Sequence, residues 1–124
     1  MKRILVVDDD ENLREVLPLI LGKDDRAIDT ARDGIEALEL LNRNQYDVIL
    51  SDLRMPGLDG PALYEALRAI PRTSIPRVIF MTGNTGTADY ATFLRGTTEP
   101  ILEKPFHIDV VRNLVSVLLN EQGR

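Results

Sequence analysis

The chain has no cysteine, which excludes disulfides, cysteine-ligated zinc and thiol catalysis and suits a reducing compartment. Positive charge is in deficit, with 15 lysines and arginines against 20 acids and a formal net charge of −5. That balance argues against a nucleic acid or an anionic membrane as the main partner. Long apolar runs are missing too. Lys2-Arg3 followed by Ile4 to Val7 mimics the start of a signal peptide, but the run ends at Asp8, far short of the ~7–15 residues a signal core needs. Nothing approaches the ~20 apolar residues of a membrane-spanning helix. These absences point to a soluble, cytoplasmic protein. What is present is ordinary for one: 124 residues, 44% hydrophobic and 28% charged, enough for a single domain over residues 1–124 with a real core.

The chain is organised around Asp47 to Gly57. Val48, Ile49 and Leu50 have the length and β-branched character of a buried strand. Asp52 sits where that strand should end. Met55-Pro56-Gly57 and Asp59-Gly60 then form turns that cannot continue it. Open α/β sheets place their ligands beyond the carboxyl ends of such strands, which makes Asp52 the first candidate for chemistry.

Read in order, Ile4 to Val7 is a strand buried on both faces, ended by Asp8-Asp9-Asp10. Asp10 suits the N-cap of a helix with Leu13, Val16, Leu17, Ile20 and Leu21 at helical spacing. Gly22 stops it, and Pro18 inside it predicts a kink. Arg26 to Thr30 is a weaker strand. Gly34 opens a helix with Ile35, Leu38 and Leu41 on one face. Pro61 suits the first turn of a third helix, to Ile70, that buries Leu63, Leu67 and Ile70. Pro71 and Pro76 bracket a connector to a fourth strand, Val78 to Met81, ending at Thr82. A loop over 83–86 and a poorly patterned helix over 87–95 follow. Pro100-Ile101-Leu102 is a short strand whose leading proline suits a sheet edge. A last helix, about Ile108 to Asn120, buries Val111, Leu114, Val115 and Leu118. Strand–helix units with near-continuous apolar strands predict a doubly wound, flavodoxin-like five-stranded parallel sheet of order 2-1-3-4-5, with five helices.

In such a sheet the strand ends bring Asp8, Asp9, Asp52, Thr82 and Lys104 to one edge. Carboxylates packed together repel unless a cation sits among them. Oxygen ligands without histidine or cysteine suit a hard ion such as Mg²⁺. A lysine opposite them counters a transferred phosphoryl group, and a threonine hydroxyl donates to one of its oxygens. Asp52, central, is placed to attack phosphorus as an aspartyl nucleophile.

Over nearly its whole length the chain resembles a receiver domain of two-component response regulators. The matching residues are Val6 to Asp10, Asp52 to Gly60, Met81-Thr82-Gly83 and Lys104-Pro105-Phe106, in this order and spacing. The resemblance implies that Asp52 takes a phosphoryl group from a phosphohistidine on a partner histidine kinase or histidine phosphotransfer protein. It implies that Asp8, Asp9, Asp52 and the backbone carbonyl of Arg54 arrange Mg²⁺, directly or through water. Thr82 and Lys104 would contact the phosphoryl oxygens, and Lys104–Pro105 would be a cis peptide bond. Signalling would pass through the face of the fourth helix, fifth strand and fifth helix, and the only catalysis would be the domain's own phosphorylation and dephosphorylation.

The sequence departs from the family pattern in places. Ile101 stands where the family often has an aromatic residue that serves a conformational switch. Arg54 occupies the position two after Asp52 that in this family borders the path of the hydrolytic water, and Asn84 lies two residues after Thr82. The segment from Gly83 to Phe106 is similar to receivers attached to hybrid histidine kinases. No effector follows, so the chain reads as a stand-alone receiver or one part of a larger protein. His107 is expected to be exposed near the start of the last helix, the donor histidine belonging to a partner. Tyr90 and Phe93 suit either a partner-binding patch or core packing of the fourth helix. Two rival readings use some of the same residues. A haloacid-dehalogenase-type phosphatase would use Asp8 and Asp10 and need acids after the fourth strand. A flavin carrier would use Thr82 to Thr87, although those residues follow the wrong strand.

Overall fold

A computed structural model of the protein describes residues 1–71, 75–83 and 88–122. The strands are β1 (Lys2–Val7), β2 (Arg26–Ala31), β3 (Val48–Asp52), β4 (Arg77–Thr82) and β5 (Ile101–Glu103). They form one parallel sheet in the order β2-β1-β3-β4-β5, as the alternation of apolar runs and helical patterns predicts. The helices are α1 (Glu11–Leu21), α2 (Gly34–Arg43), α3 (Gly60–Ala69), α4 (Ala91–Gly96) and α5 (Ile108–Gln122). No described helix is long and apolar enough to cross a membrane.

Because side chains alternate across a strand, each central strand feeds two cores. Ile4, Val6, Val48, Leu50, Ile79 and Met81 face one side, where α1 and α5 pack Leu17, Leu21, Val111 and Val115. Leu5, Val7, Ile49, Val78 and Phe80 face the other, against Ala37, Leu41, Leu63 and Leu67 of α2 and α3. A strand sandwiched in this way has no polar face, which is why the runs in the sequence are unbroken. Aspartates start three of the helices. Asp10, Asp33 and Asp59 each accept a backbone N–H in the first turn of α1, α2 and α3.

Four details differ from the sequence reading. Ile35, expected on the inner face of α2, is 56% exposed, and Gly34, Ala37 and Leu41 face inward instead. The cause is close packing: a Cβ on Gly34 would lie 2.5 Å from the Leu58 carbonyl oxygen, so the loop before α3 meets bare backbone there. In α1, Val16 is exposed while Leu17 and Leu21 carry the burial. β5 starts one residue later than expected. Pro100 has no N–H and contributes only its carbonyl, which accepts from Phe80 (3.0 Å). Lastly, the helix expected over 87–95 is split into a 3₁₀ turn, Ala88–Tyr90, and the short α4. Tyr90 offers no side-chain cap and α4 has no fully buried residue, so little burial favours a longer helix; Thr87 lies outside the described residues. The expected loop over 83–86, and Asn84 within it, lie mostly outside the described residues.

Candidate functional site

Each side chain of the site is delivered by the end of a strand. Asp8 follows β1 directly, and its N–H donates to the Ala31 carbonyl (3.1 Å), continuing the β1–β2 ladder. Asp52 is the last residue of β3 and pairs in register with Met81 of β4. Just past it the chain must turn sharply into α3. Gly60 makes this turn fit, because a Cβ there would lie 2.7 Å from the Asp52 carbonyl oxygen and 3.0 Å from Leu53 Cα. Thr82 ends β4, buried, with its hydroxyl donating to the Gly83 carbonyl (3.1 Å). Lys104 follows β5, its N–H donating to the Thr82 carbonyl (2.8 Å), and the Lys104–Pro105 peptide is cis as expected.

The five residues singled out by the sequence therefore meet at one edge. Carboxylate oxygens of Asp8, Asp9 and Asp52 lie within 4.8 Å of one another. Asp8 is completely buried. Its Oδ1 accepts the Asp10 N–H (2.9 Å), and its Oδ2 accepts from Lys104 Nζ (2.8 Å). The same ammonium reaches Asp52 Oδ2 at 3.4 Å, so it bridges the two acids. Asp9 is exposed at the mouth.

Electrostatics follow from this packing. Burial pushes the Asp52 carboxyl up from 3.8 to about 6, and the charge of Asp8 adds to the rise while Lys104 partly offsets it. Burial alone would lower the Lys104 ammonium. The hydrogen bond and charge of Asp8, with the charge of Asp52, outweigh it and raise the group above its ordinary value. With all groups ionised, three carboxylates against one ammonium leave two negative charges unmatched in the cluster. Hard oxygen donors with that surplus fit a divalent cation such as Mg²⁺.

The Arg54 side chain is engaged outside this cluster, in an exposed ion pair with Asp89 and over the ring of Tyr90. Tyr90 and Phe93 belong to the core packing beside β4, and Phe93 meets both Phe80 and Tyr64 edge to face. His107 is exposed, as expected. Sequence reading missed Glu99. Its carboxylate is almost wholly buried and accepts from Arg77 Nε (2.7 Å) and the Tyr64 hydroxyl (3.3 Å). Its partners lie 22 and 35 residues away, so no local pattern could have signalled it.

A doubly wound parallel sheet carrying a cluster of acids and one lysine at its carboxyl edge defines an acid-pocket protein of the flavodoxin-like class. The chain belongs to the response regulator receiver domain family, whose sequence model matches residues 4–116. It is 35% identical over 114 residues to part of the sensor histidine kinase RcsC of Escherichia coli K12. That alignment covers 92% of this chain but 12% of RcsC, so the chain spans only a small fraction of that relative. It agrees with the resemblance of Gly83 to Phe106 to hybrid-kinase receivers. Among solved structures, the Francisella response regulator 1452 receiver domain superposes with a TM-score of 0.81 at 32% identity, covering 98% of this chain and 99% of that one. Response regulator TrrA of Thermotoga maritima, solved in complex with Mg²⁺ and BeF, gives 0.78 at 33% identity, covering 95% and 99%. This is a receiver domain of two-component signalling. The phosphatase and flavin readings fall with that membership, and β4 ends in a threonine rather than the acids the phosphatase needs.

Proposed function

We propose that residues 1–124 act as one receiver unit in which Asp52 accepts a phosphoryl group from a phosphohistidine. The donor is a histidine kinase or a histidine phosphotransfer protein. One observation carries the reading: a carboxylate at the end of the central strand, raised to about 6, faces two further acids and a lysine. At pH 7 a group of that pKa is ionised roughly ten to one, so the nucleophile is available while its burial keeps it poorly solvated. An Asp52 oxygen bonds to phosphorus as the phosphorus–nitrogen bond breaks, and the imidazole nitrogen keeps the electron pair. Asp8, Asp9, Asp52 and the Arg54 backbone carbonyl would hold Mg²⁺. When bound, the ion neutralises charge gathering on the phosphoryl oxygens. Lys104 turns its ammonium from Asp52 to the transferred group, and the Thr82 hydroxyl donates to one of its oxygens. Output passes through α4, β5 and α5.

Intact-mass analysis with acetyl phosphate and Mg²⁺ tests this. Wild-type protein gains one phosphoryl group and Asp52→Asn gains none. Equal labelling of both proteins removes Asp52 from the role.

A further inference from the structure

Arg54 stands two residues beyond Asp52, and its guanidinium is engaged by Asp89 and Tyr90. It pairs with Asp89 and lies 5.6 Å from the centre of the Tyr90 ring. Tyr90 donates its hydroxyl to Asp59 Oδ2 (3.1 Å), while Asp59 Oδ1 caps α3 by accepting the Ala62 N–H (3.0 Å). Four side chains thus tie the loop after β3 to the 3₁₀ turn that leads into α4. α4 has no side-chain cap and no fully buried residue, and Phe93 and Leu94 pack it only partly against the core.

This arrangement is exchangeable. Arg54 and Asp89 are 57% and 65% exposed, and pairs so exposed hold weakly. A phosphoryl group on an aspartate brings about −1.5 to −2 charges and three strong acceptor oxygens, for which a guanidinium fork is well shaped. The guanidinium is raised first by its hydrogen bond to Asp89, but the charge of Asp52 already acts on it as well. Ile101 is exposed and has no ring to swing inward, so a route from the pocket to α4 must use other groups.

We propose that Arg54, Asp89, Tyr90 and Asp59 form a latch that phosphorylation of Asp52 opens, with Arg54 leaving Asp89 for the phosphoryl oxygens. The turn at Ala88–Tyr90 then loses its anchor and α4 is freed to move. The latch rests on the reading of Asp52 as phosphoacceptor. A bound group shifts such an equilibrium only by its different affinity for the two states, and Arg54 supplies that difference.

The test is a beryllofluoride titration with Mg²⁺, followed by NMR of the Arg54 Nε–H and of the backbone amides from Ala88 to Gly96. In wild type the Arg54 signal shifts on binding and those amides follow. Asp89→Asn, at an exposed site, moves the amides partway to their bound positions before any ligand is added. It also tightens apparent beryllofluoride affinity by about fivefold, within the range of typical coupling. Adding Arg54→Met cancels that gain. If wild type binds beryllofluoride at Asp52 while the Arg54 signal stays still, or if Asp89→Asn leaves affinity unchanged, the latch is wrong and the phosphoacceptor reading stands. If wild type binds no better than Asp52→Asn, both are wrong.

Discussion

The two sides of the pocket are held by different kinds of interaction. On the β1–β3 side, Asp8 and Asp52 extend from strands whose side chains are buried from Ile4 to Val7 and from Val48 to Ser51. Moving either acid would mean disturbing both cores. On the other side, β5 buries only Leu102, and α4 has no fully buried residue. That side is held by polar and aromatic side-chain contacts: Arg77 with Glu99, Tyr64 and Phe80 with Phe93, Arg54 with Asp89. Side-chain pairs can be exchanged one at a time, whereas a packed core yields only as a unit. The proposed phosphoacceptor therefore sits on the rigid side and the surface expected to change sits on the loose one.

The largest effect should fall on chemistry at the rigid side. Asp52→Asn should abolish phosphoryl labelling while leaving the far-UV circular dichroism unchanged, because the amide keeps the shape of the carboxylate. Labelled Asp52→Asn protein would locate the acceptor elsewhere and undo the division between the two sides.

Core substitutions should separate the sides next. Leu50→Ala removes a fully buried side chain and should cost about 2–5 kcal/mol. Phe93→Ala, partly buried and edge-on to two rings, should cost only about 1–2 kcal/mol. Urea midpoints at constant m-value measure both. Equal losses would show that α4 is as firmly built in as β3.

A pH effect should follow in size. The folded-state pKa of Asp52, about 6, lies above the ordinary 3.8, so the folded state holds the proton more tightly than the unfolded chain. The stability this gives is complete below about pH 4 and is lost as pH rises through about 6. The difference amounts to ~3 kcal/mol at most, at 1.36 kcal/mol per unit. Thermal melts in EDTA from about pH 4 to about pH 8 should show this falling limb in wild type and not in Asp52→Asn. Added Mg²⁺ should shift the Asp52 titration, read by carboxyl ¹³C NMR, to lower pH. Identical profiles for the two proteins would mean that the pocket leaves Asp52 unperturbed.

Glu99→Gln should have the smallest effect. The amide keeps an acceptor for Arg77 but loses the charge, for a cost of about 1 kcal/mol. The loss should be local, seen as faster amide exchange from Thr97 to Glu103. Faster exchange in β3 as well would mean that the loose side supports the rigid one.

Much of this was legible in the residues themselves. Runs such as Ile4 to Val7 and Val78 to Met81 are apolar at every position, as strands covered on both faces are, and with right-handed crossovers in so compact a chain they pointed to the parallel sheet and its order. With the strands placed, their carboxyl ends had to bring Asp8, Asp9, Asp52, Thr82 and Lys104 to one edge. What tertiary structure alone decided is which groups touch. Lys104 bridges Asp8 and Asp52, Arg54 turns to Asp89, Glu99 is buried beneath Arg77, and Ile35 points outward because Leu58 crowds Gly34. Strand identity is settled by period and burial within a few neighbouring residues. Side-chain pairing across 35 or 96 positions depends on how whole elements pack, and no local pattern carries that information.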